Sequence, residues 1–272
     1  MLELTGKTAV VTGAAGGIGL ALARRFAREG MNVVLADVEG PALDAAAAEI
    51  GGSLAVRCDV SRESDVEALA ARARERFGAV HLLCNNAGVS GSIGPAWKTT
   101  RDEWAWILGV NLWGVIHGIR AFVPGMLEHG AEAHIVNMAS LAGFIPLPGA
   151  APYGVSKRAV IALSEAVALE LKAKGDRIGV SVLCPAAVAT GIVDAARNRP
   201  EEYGGPVAEP DPALAGIREV IAAGMSPEEV AERTVAAVRE RKFYVLTHEE
   251  TEAVVDAYAG DLTGRRGPRS YF

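Results

Sequence analysis

Short apolar runs alternate along the chain with longer stretches in which apolar residues recur every three or four positions. The runs at 8–12, 32–37, 54–58, 80–84, 134–140, 178–183 and 243–247 are mostly apolar and have the length of strands buried on both faces. Helical patterns fill the gaps between them. The first follows a glycine cluster and runs through Glu29 to a stop at Gly30; the second, Ala-rich, follows Pro41; the third is capped by Ser61 and runs to Phe77. Thr100-Arg-Asp-Glu103 is a capping box that opens a long amphipathic helix holding Trp104, Trp106, Ile107, Val110 and Asn111, and Pro124 is expected to kink or end it. Another helix contains Tyr153 and continues to about Ala173, Ser226-Pro227-Glu-Glu229 caps the next, and a short last one begins near Glu249. This alternation predicts an α/β fold: a doubly wound parallel sheet of about seven strands with helices on both faces, as one domain over 1–272.

The alternation lapses between 191 and 224, where Pro200, Gly204, Gly205, Pro206, Pro210 and Pro212 interrupt Ile192, Val193, Tyr203, Val207, Leu214 and Ile217. An irregular segment of this length inside a compact domain reads as a lid or substrate-binding insertion. The Gly/Arg-rich stretch 260–272 reads as a tail, either disordered or reaching a neighbouring subunit.

Composition narrows the function. Half of the 272 residues are apolar, enough for one large core, and the net charge of −6 comes without a basic stripe, which argues against a nucleic-acid partner. No uninterrupted apolar stretch has the length of a membrane span, and the first residues, Met-Leu-Glu-Leu-Thr-Gly-Lys, carry no apolar leader, so the expected location is cytoplasmic. Cys58, Cys84 and Cys184 sit in strand-like contexts without metal-ligand spacing and read as buried thiols; no metal site is expected.

The candidate chemistry lies where strands end. Gly13-Ala-Ala-Gly16-Gly17-Ile18-Gly19 joins the first strand to the first helix, where glycines allow close backbone approach and a helix N-terminus favours a pyrophosphate. Asp37 ends the second strand at a spacing suited to the adenosine ribose hydroxyls, and no basic residue stands beside it in sequence. Asp59-Val60 ends the third strand. Asn85-Asn86-Ala87-Gly88 ends the fourth, a composition that fits either a backbone pressed against a cofactor or a plain turn. Ser140 ends the fifth strand, so its hydroxyl could hold a substrate oxygen. Tyr153 and Lys157, four residues apart on a helix, face one point, and an ammonium beside a phenol favours the phenolate that proton transfer needs. Each feature alone is also an ordinary structural one: the pair a solvated helix face, Asp37 the end of an exposed turn, Asn111 a polar group satisfying a bent backbone.

Taken together these motifs closely resemble the short-chain dehydrogenase/reductase family over nearly the whole chain. The matching stretches are Thr12 to Gly19, Asp59-Val60, Asn85 to Gly88, and the series Asn111, Ser140, Tyr153, Lys157. The resemblance implies a Rossmann fold that binds NAD through Gly13, Gly17, Ile18, Gly19, Asp37, Asp59, Val60, Asn86, Ala87, Gly88, Tyr153, Lys157, Pro185, Val188 and Thr190. It implies Tyr153 as acid/base, Ser140 orienting the substrate oxygen, Lys157 binding the nicotinamide ribose while lowering the Tyr153 pKa, and Asn111 holding a water in a relay through Lys157. Asp59-Val60 would contact adenine and Thr190 the nicotinamide amide. One departure stands out: Pro185-Ala186 replaces the family's Pro-Gly, which matters if that turn needs positive φ.

The expected reaction is interconversion of a secondary alcohol and a ketone by hydride transfer with NAD. The alternatives are an NADP-dependent carbonyl reductase, an epimerase or dehydratase of related fold, and a non-catalytic dinucleotide sensor. The run from Phe243 to His248 resembles a branch of the family acting on bulky apolar or aryl alcohols. Val89, Ile93, Phe144, Ile145, Leu147, Ile192 and Val193 can line an apolar pocket, while Arg197, Arg199 and Arg218 read as solvated lid arginines, any one of which could instead pair with a substrate carboxylate. By resemblance a homotetramer is expected, joined through the helices opened by Thr100 and holding Tyr153.

Overall fold

The computed structural model describes residues 3–175, 177–207 and 212–271, so Met1, Leu2, Pro210 and Phe272 lie outside the described residues. Among the described residues β1 (Thr8–Thr12), β2 (Asn32–Asp37), β3 (Leu54–Arg57), β4 (Leu82–Asn85), β5 (Ala133–Met138), β6 (Ile178–Cys184) and β7 (Tyr244–Leu246) form one sheet, ordered β3-β2-β1-β4-β5-β6-β7. All neighbouring strands are parallel. The chain winds outward from β1 to β3, then crosses back to β4 and winds the other way. That reversal leaves a crevice outside the carboxyl ends of β1 and β4, the place where such sheets bind ligands.

Helices α1 (Gly17–Arg28), α2 (Gly40–Glu49), α3 (Glu63–Phe77), α4 (Arg101–Leu108), α5 (Gly114–His129), α6 (Ala151–Ala173), α7 (Ala215–Ala222), α8 (Pro227–Glu240) and α9 (Thr251–Thr263) complete the described fold. Strand side chains alternate between two apolar layers. Ala9, Val11, Val33, Leu35, Leu82 and Cys84 pack with Leu22, Phe26, Leu43, Val230 and Val235 of α1, α2 and α8. Val10, Val34, Ala36, Leu83 and Ile135 pack on the other face with Leu69, Phe122 and Leu171 of α3, α5 and α6. Burial on both faces explains the continuously apolar strands.

Several local expectations change. The third helix starts at Glu63 and Ser61 does not cap it; the Ser61 hydroxyl donates instead to Asp59 Oδ1 at 2.7 Å. Thr100 does cap α4, accepting from Glu103 N–H at 3.2 Å, but the Glu103 carboxylate reaches the Ser92 amide at 2.6 Å rather than closing a reciprocal box. Pro124 lies inside α5, which continues to His129. The irregularity falls earlier, where Gly109–Trp113 forms a π turn between α4 and α5. The run Arg101–His129 is long and apolar enough to cross a membrane by length and composition. It carries buried Glu103, Asn111 and His117, and packs against α3, α6 and β4.

The segment after β6 forms 3₁₀ turns at Gly191–Asn198, Glu201–Tyr203 and Pro212–Leu214 followed by α7. The described tail folds back on its own helix: Arg266, Arg269 and Tyr271 all donate to Asp261, at 2.6, 2.7 and 2.9 Å. Those bonds hold the Asp261 carboxyl well below the usual carboxylate range.

Candidate active site

A cleft of about 370 Å³ opens along the carboxyl ends of the strands. Its floor is the turn from β1 into α1. Gly13 has φ +66°, and a Cβ there would lie 2.8 Å from Ala87 Cα; one on Gly19 would lie 2.0 Å from Gly13 O. Only glycine permits this approach, and it leaves the start of α1 facing the cleft. Asn86 fixes the turn by donating its side-chain amide to Thr12 O at 2.8 Å, while Thr12 Oγ1 accepts from Asn86 and Ala87 N–H at 3.0 and 3.1 Å. Asp37 accepts from Ala15 N–H at 2.9 Å and Glu39 N–H at 3.0 Å, which orients its carboxylate on the wall of the cleft. Asp59, Val60, Ala87, Gly88, Pro185, Val188 and Thr190 line the same space with Gly13, Gly17, Ile18 and Gly19. A donor-rich, glycine-floored groove with a carboxylate at one end fits an adenine dinucleotide.

At the other end Ser140, Tyr153 and Lys157 converge. β5 stops at Met138, so Ser140 lies in the turn beyond it, accepting from Ala142 N–H at 3.2 Å and donating to Pro185 O at 3.3 Å. Lys157 is buried, donates from Nζ to Met138 O at 3.0 Å, and sits 5.5 Å from the centre of the Tyr153 ring. Burial lowers the Lys157 pKa to about 8. For Tyr153, burial raises the phenol pKa and the hydrogen bond with Ser140 opposes the rise; the net direction is upward. The Lys157 ammonium stands over the ring and is turned to the Met138 carbonyl.

Asn111 occupies the π turn. Its amide binds both backbone groups of Val89, at 2.8 and 2.9 Å, and donates to Ser156 Oγ at 3.0 Å. It clamps the loop after β4, and it shares with Lys157 Nζ the space beside Gly88: a Cβ there would meet Asn111 Oδ1 and Lys157 Nζ each at 3.4 Å. The extra residue of a π turn is what turns Asn111 inward, and no local pattern marks it.

The substrate end differs from expectation. Val89 and Ile192 line the cleft, but Ile93, Phe144, Ile145, Leu147 and Val193 do not; Trp106, Val110, Ala195, Pro200 and Ile221 make the wall instead. Ile145 and Val193 face the core, and Ile93 and Leu147 face outward. Of the three arginines, Arg218 pairs with Asp194 at 2.7 Å and Arg199 lies over the Trp106 ring at 4.7 Å. Arg197, expected as a solvated arginine, lines the same cleft as Asp37. It bonds Glu39 Oε1 at 2.6 Å, which Asn198 Nδ2 also reaches at 2.7 Å, so the segment after β6 is tied across the cleft to the end of β2. Ala186 does not have positive φ, so replacing the usual glycine leaves the turn unstrained and adds a methyl group to the cleft wall.

A parallel sheet that reverses beside a glycine-floored groove, with tyrosine, lysine and serine gathered at its far end, is the frame of a dinucleotide-dependent oxidoreductase. Residues 7–201 match the short chain dehydrogenase family, and the chain belongs to it. It is 43% identical over 197 residues to a 1-deoxy-11-beta-hydroxypentalenate dehydrogenase of Streptomyces exfoliatus, covering 71% of each chain. It is 37% identical over 283 residues to the C alpha-dehydrogenase of Sphingobium sp. (strain NBRC 103272 / SYK-6), covering 99% of this chain and 92% of that protein. In structure it is similar to a short chain dehydrogenase/reductase from Burkholderia phymatum in complex with NAD, with a TM-score of 0.94 and 42% identity over 99% of both chains.

Proposed function

We propose that the protein is an NAD-dependent dehydrogenase that interconverts a secondary alcohol and a ketone on a bulky apolar or aryl substrate. The observation that carries this reading is the convergence of Ser140, Tyr153 and Lys157 at one end of a groove whose other end presents Asp37. The solved neighbour with NAD and the two relatives named as dehydrogenases support it. Bound in the groove, NAD would supply the hydride chemistry.

The chain's own groups do the rest. Asp37 would accept ribose hydroxyls, and the N–H groups at the start of α1 would meet the pyrophosphate. Ser140, already donating and accepting in its turn, holds the substrate oxygen beside Tyr153. Tyr153 gives or takes the hydroxyl proton. Lys157 holds positive charge over that ring and, with Asn111 near Gly88, borders the space through which a proton relay would pass. Trp106, Val110, Ile192 and Ile221 favour an uncharged, rather bulky substrate, and Arg197, the one of the three arginines that borders the cleft, is paired with Glu39. The test is NADH absorbance during incubation with NAD and a racemic panel of secondary alcohols. Turnover of neutral aryl or polycyclic alcohols is expected, and a clear preference for carboxylate substrates would overturn the pocket assignment.

Segment 191–224 acts as the lid of this cleft in our reading, since Gly191, Ile192, Ala195, Arg197 and Ile221 border it. Self-association as a homotetramer is part of the same proposal. Exposed Trp113, Val155 and Leu169 on the surfaces from the π turn to α6 support it. Light scattering at working concentration checks it, with a monomer mass as the refuting result.

A further inference from the structure

The turn that follows β6 carries Pro185, Ala186, Val188 and Thr190 into the cleft, and one side chain outside the cleft holds it. His248 lies two residues beyond β7. Its Nδ1 accepts from Ala186 N–H at 3.3 Å, and its Nε2 lies 2.9 Å from Ala187 O. These two contacts fix the tautomer: an N–H facing Nδ1 demands a bare nitrogen, and a carbonyl facing Nε2 demands a proton there. The ring is itself held, with Thr247 Oγ1 2.9 Å from Nδ1, and Thr251 Oγ1 donating to the His248 carbonyl at 2.5 Å. Arg233 donates to the neighbouring Thr247 carbonyl.

The two bonds are not equivalent. Ala187 O has a second donor, Met225 N–H at 3.0 Å, whereas Ala186 N–H has His248 as its one protein acceptor among the described residues. On the other side of the turn Pro185 O accepts from the Ser140 hydroxyl at 3.3 Å and from Leu141 N–H at 2.9 Å. His248, Ala186, Pro185 and Ser140 thus form a continuous chain of contacts from the loop beyond β7 to the reacting end of the cleft.

We propose that His248 is a positioning residue for the reaction: its neutral imidazole, protonated on Nε2, sets the Pro185–Ala187 turn and through it the orientation of the Ser140 hydroxyl. The proposal rests on the dehydrogenase reading of the cleft. It extends that reading to a residue that touches neither substrate nor cofactor.

Three variants separate the two bonds. In His248→Asn, Oδ1 stands near the place of Nδ1 and keeps an acceptor for Ala186. In His248→Gln, the longer amide keeps only the donor to Ala187, and His248→Leu keeps neither. Leaving the Ala186 N–H unpaired should lower kcat by roughly tenfold or more in the Gln and Leu variants, whereas the Asn variant stays within about threefold of wild type. NADH affinity, read by fluorescence on the resting protein, should change less than kcat in all three. In ligand-free wild type, nitrogen-15 shifts should show His248 protonated on Nε2 alone. A proton on Nδ1, wild-type kcat in the Leu variant, or a kcat loss in all three that tracks their fall in melting temperature would each overturn the proposal. If wild type oxidises no alcohol with either nicotinamide cofactor, the dehydrogenase reading fails. The tautomer and the affinities then still report on the clamp.

Discussion

Replacing Tyr153 by Phe removes one oxygen from the site and leaves the ring's packing in place. Turnover should fall at least about a hundredfold while the dissociation constant for NADH stays within about twofold, the mark of a lost proton-transfer group. Fluorescence titration beside steady-state rates separates the two effects, and retention of a tenth of wild-type turnover would remove Tyr153 from the acid/base role. Lys157 predicts the opposite balance of stability and function. Its folded pKa of about 8 lies below the usual 10.5, so its buried charge opposes folding. Below pH 8 the lysine is charged in both states and the whole penalty is present. The penalty fades as pH rises toward 10.5 and is gone above it. Lys157→Met should therefore stabilise the ligand-free protein at pH 7 by on the order of 2 kcal/mol, after allowing for the Met138 carbonyl it leaves unpaired, and should weaken cofactor binding. Denaturant melts at pH 7 and 10 test this; a variant less stable than wild type at pH 7 would contradict it.

At the scale of elements, Gly19→Ala should drive α1 away from β1, because the added methyl group would sit 2.0 Å from Gly13 O and 2.6 Å from Asn86 Nδ2. A lowered melting temperature and at least about tenfold weaker NADH binding are expected. At Gly16 a Cβ meets nothing within 4 Å, so Gly16→Ala should melt like wild type. The features legible in the sequence are those that local physics decides. Alternating strands and helices follow from periodicity, and the caps at Thr100 and Ser226 follow from side chains within three residues, each accepting the expected N–H, at 3.2 and 3.1 Å. Features decided by distant partners were not legible. Glu103 leaves its box for Ser92, eleven residues away, and Asn111 turns toward Val89 because a π turn adds a residue to the helix. The wall of the cleft was misjudged for the same reason: Ile145 and Val193 are apolar enough for it, but the core claims them, while Trp106 and Ile221 arrive from elements far apart in the chain.

Cofactor choice belongs to the whole molecule, since it is set where β2 and the segment after β6 meet. Asp37 should reject a 2′-phosphate: one pair of unit charges about 4 Å apart at an effective dielectric near 20 costs roughly 4 kcal/mol, and halving that for exposure leaves about thirtyfold preference for NAD in kcat/KM. Asp37→Ala should narrow the gap mainly by weakening NAD, and equal use of NADP by wild type would show that the carboxylate serves only the backbone amides it binds. Sequence spacing pointed to Asp37, yet it gave no sign that Arg197 reaches Glu39, 158 residues away. That bridge bears on time rather than on affinity alone. A strap fastened over one end of a groove must unfasten before a long ligand leaves, so the residence time of the dinucleotide becomes a function of an ion pair whose partners are about a third to a half exposed. Such a pair weakens as salt screens it. NADH dissociation, followed by stopped flow, should quicken with ionic strength in wild type and lose most of that dependence in Arg197→Ala. Wherever release limits turnover, the same salt would make the enzyme faster while it binds its cofactor less well.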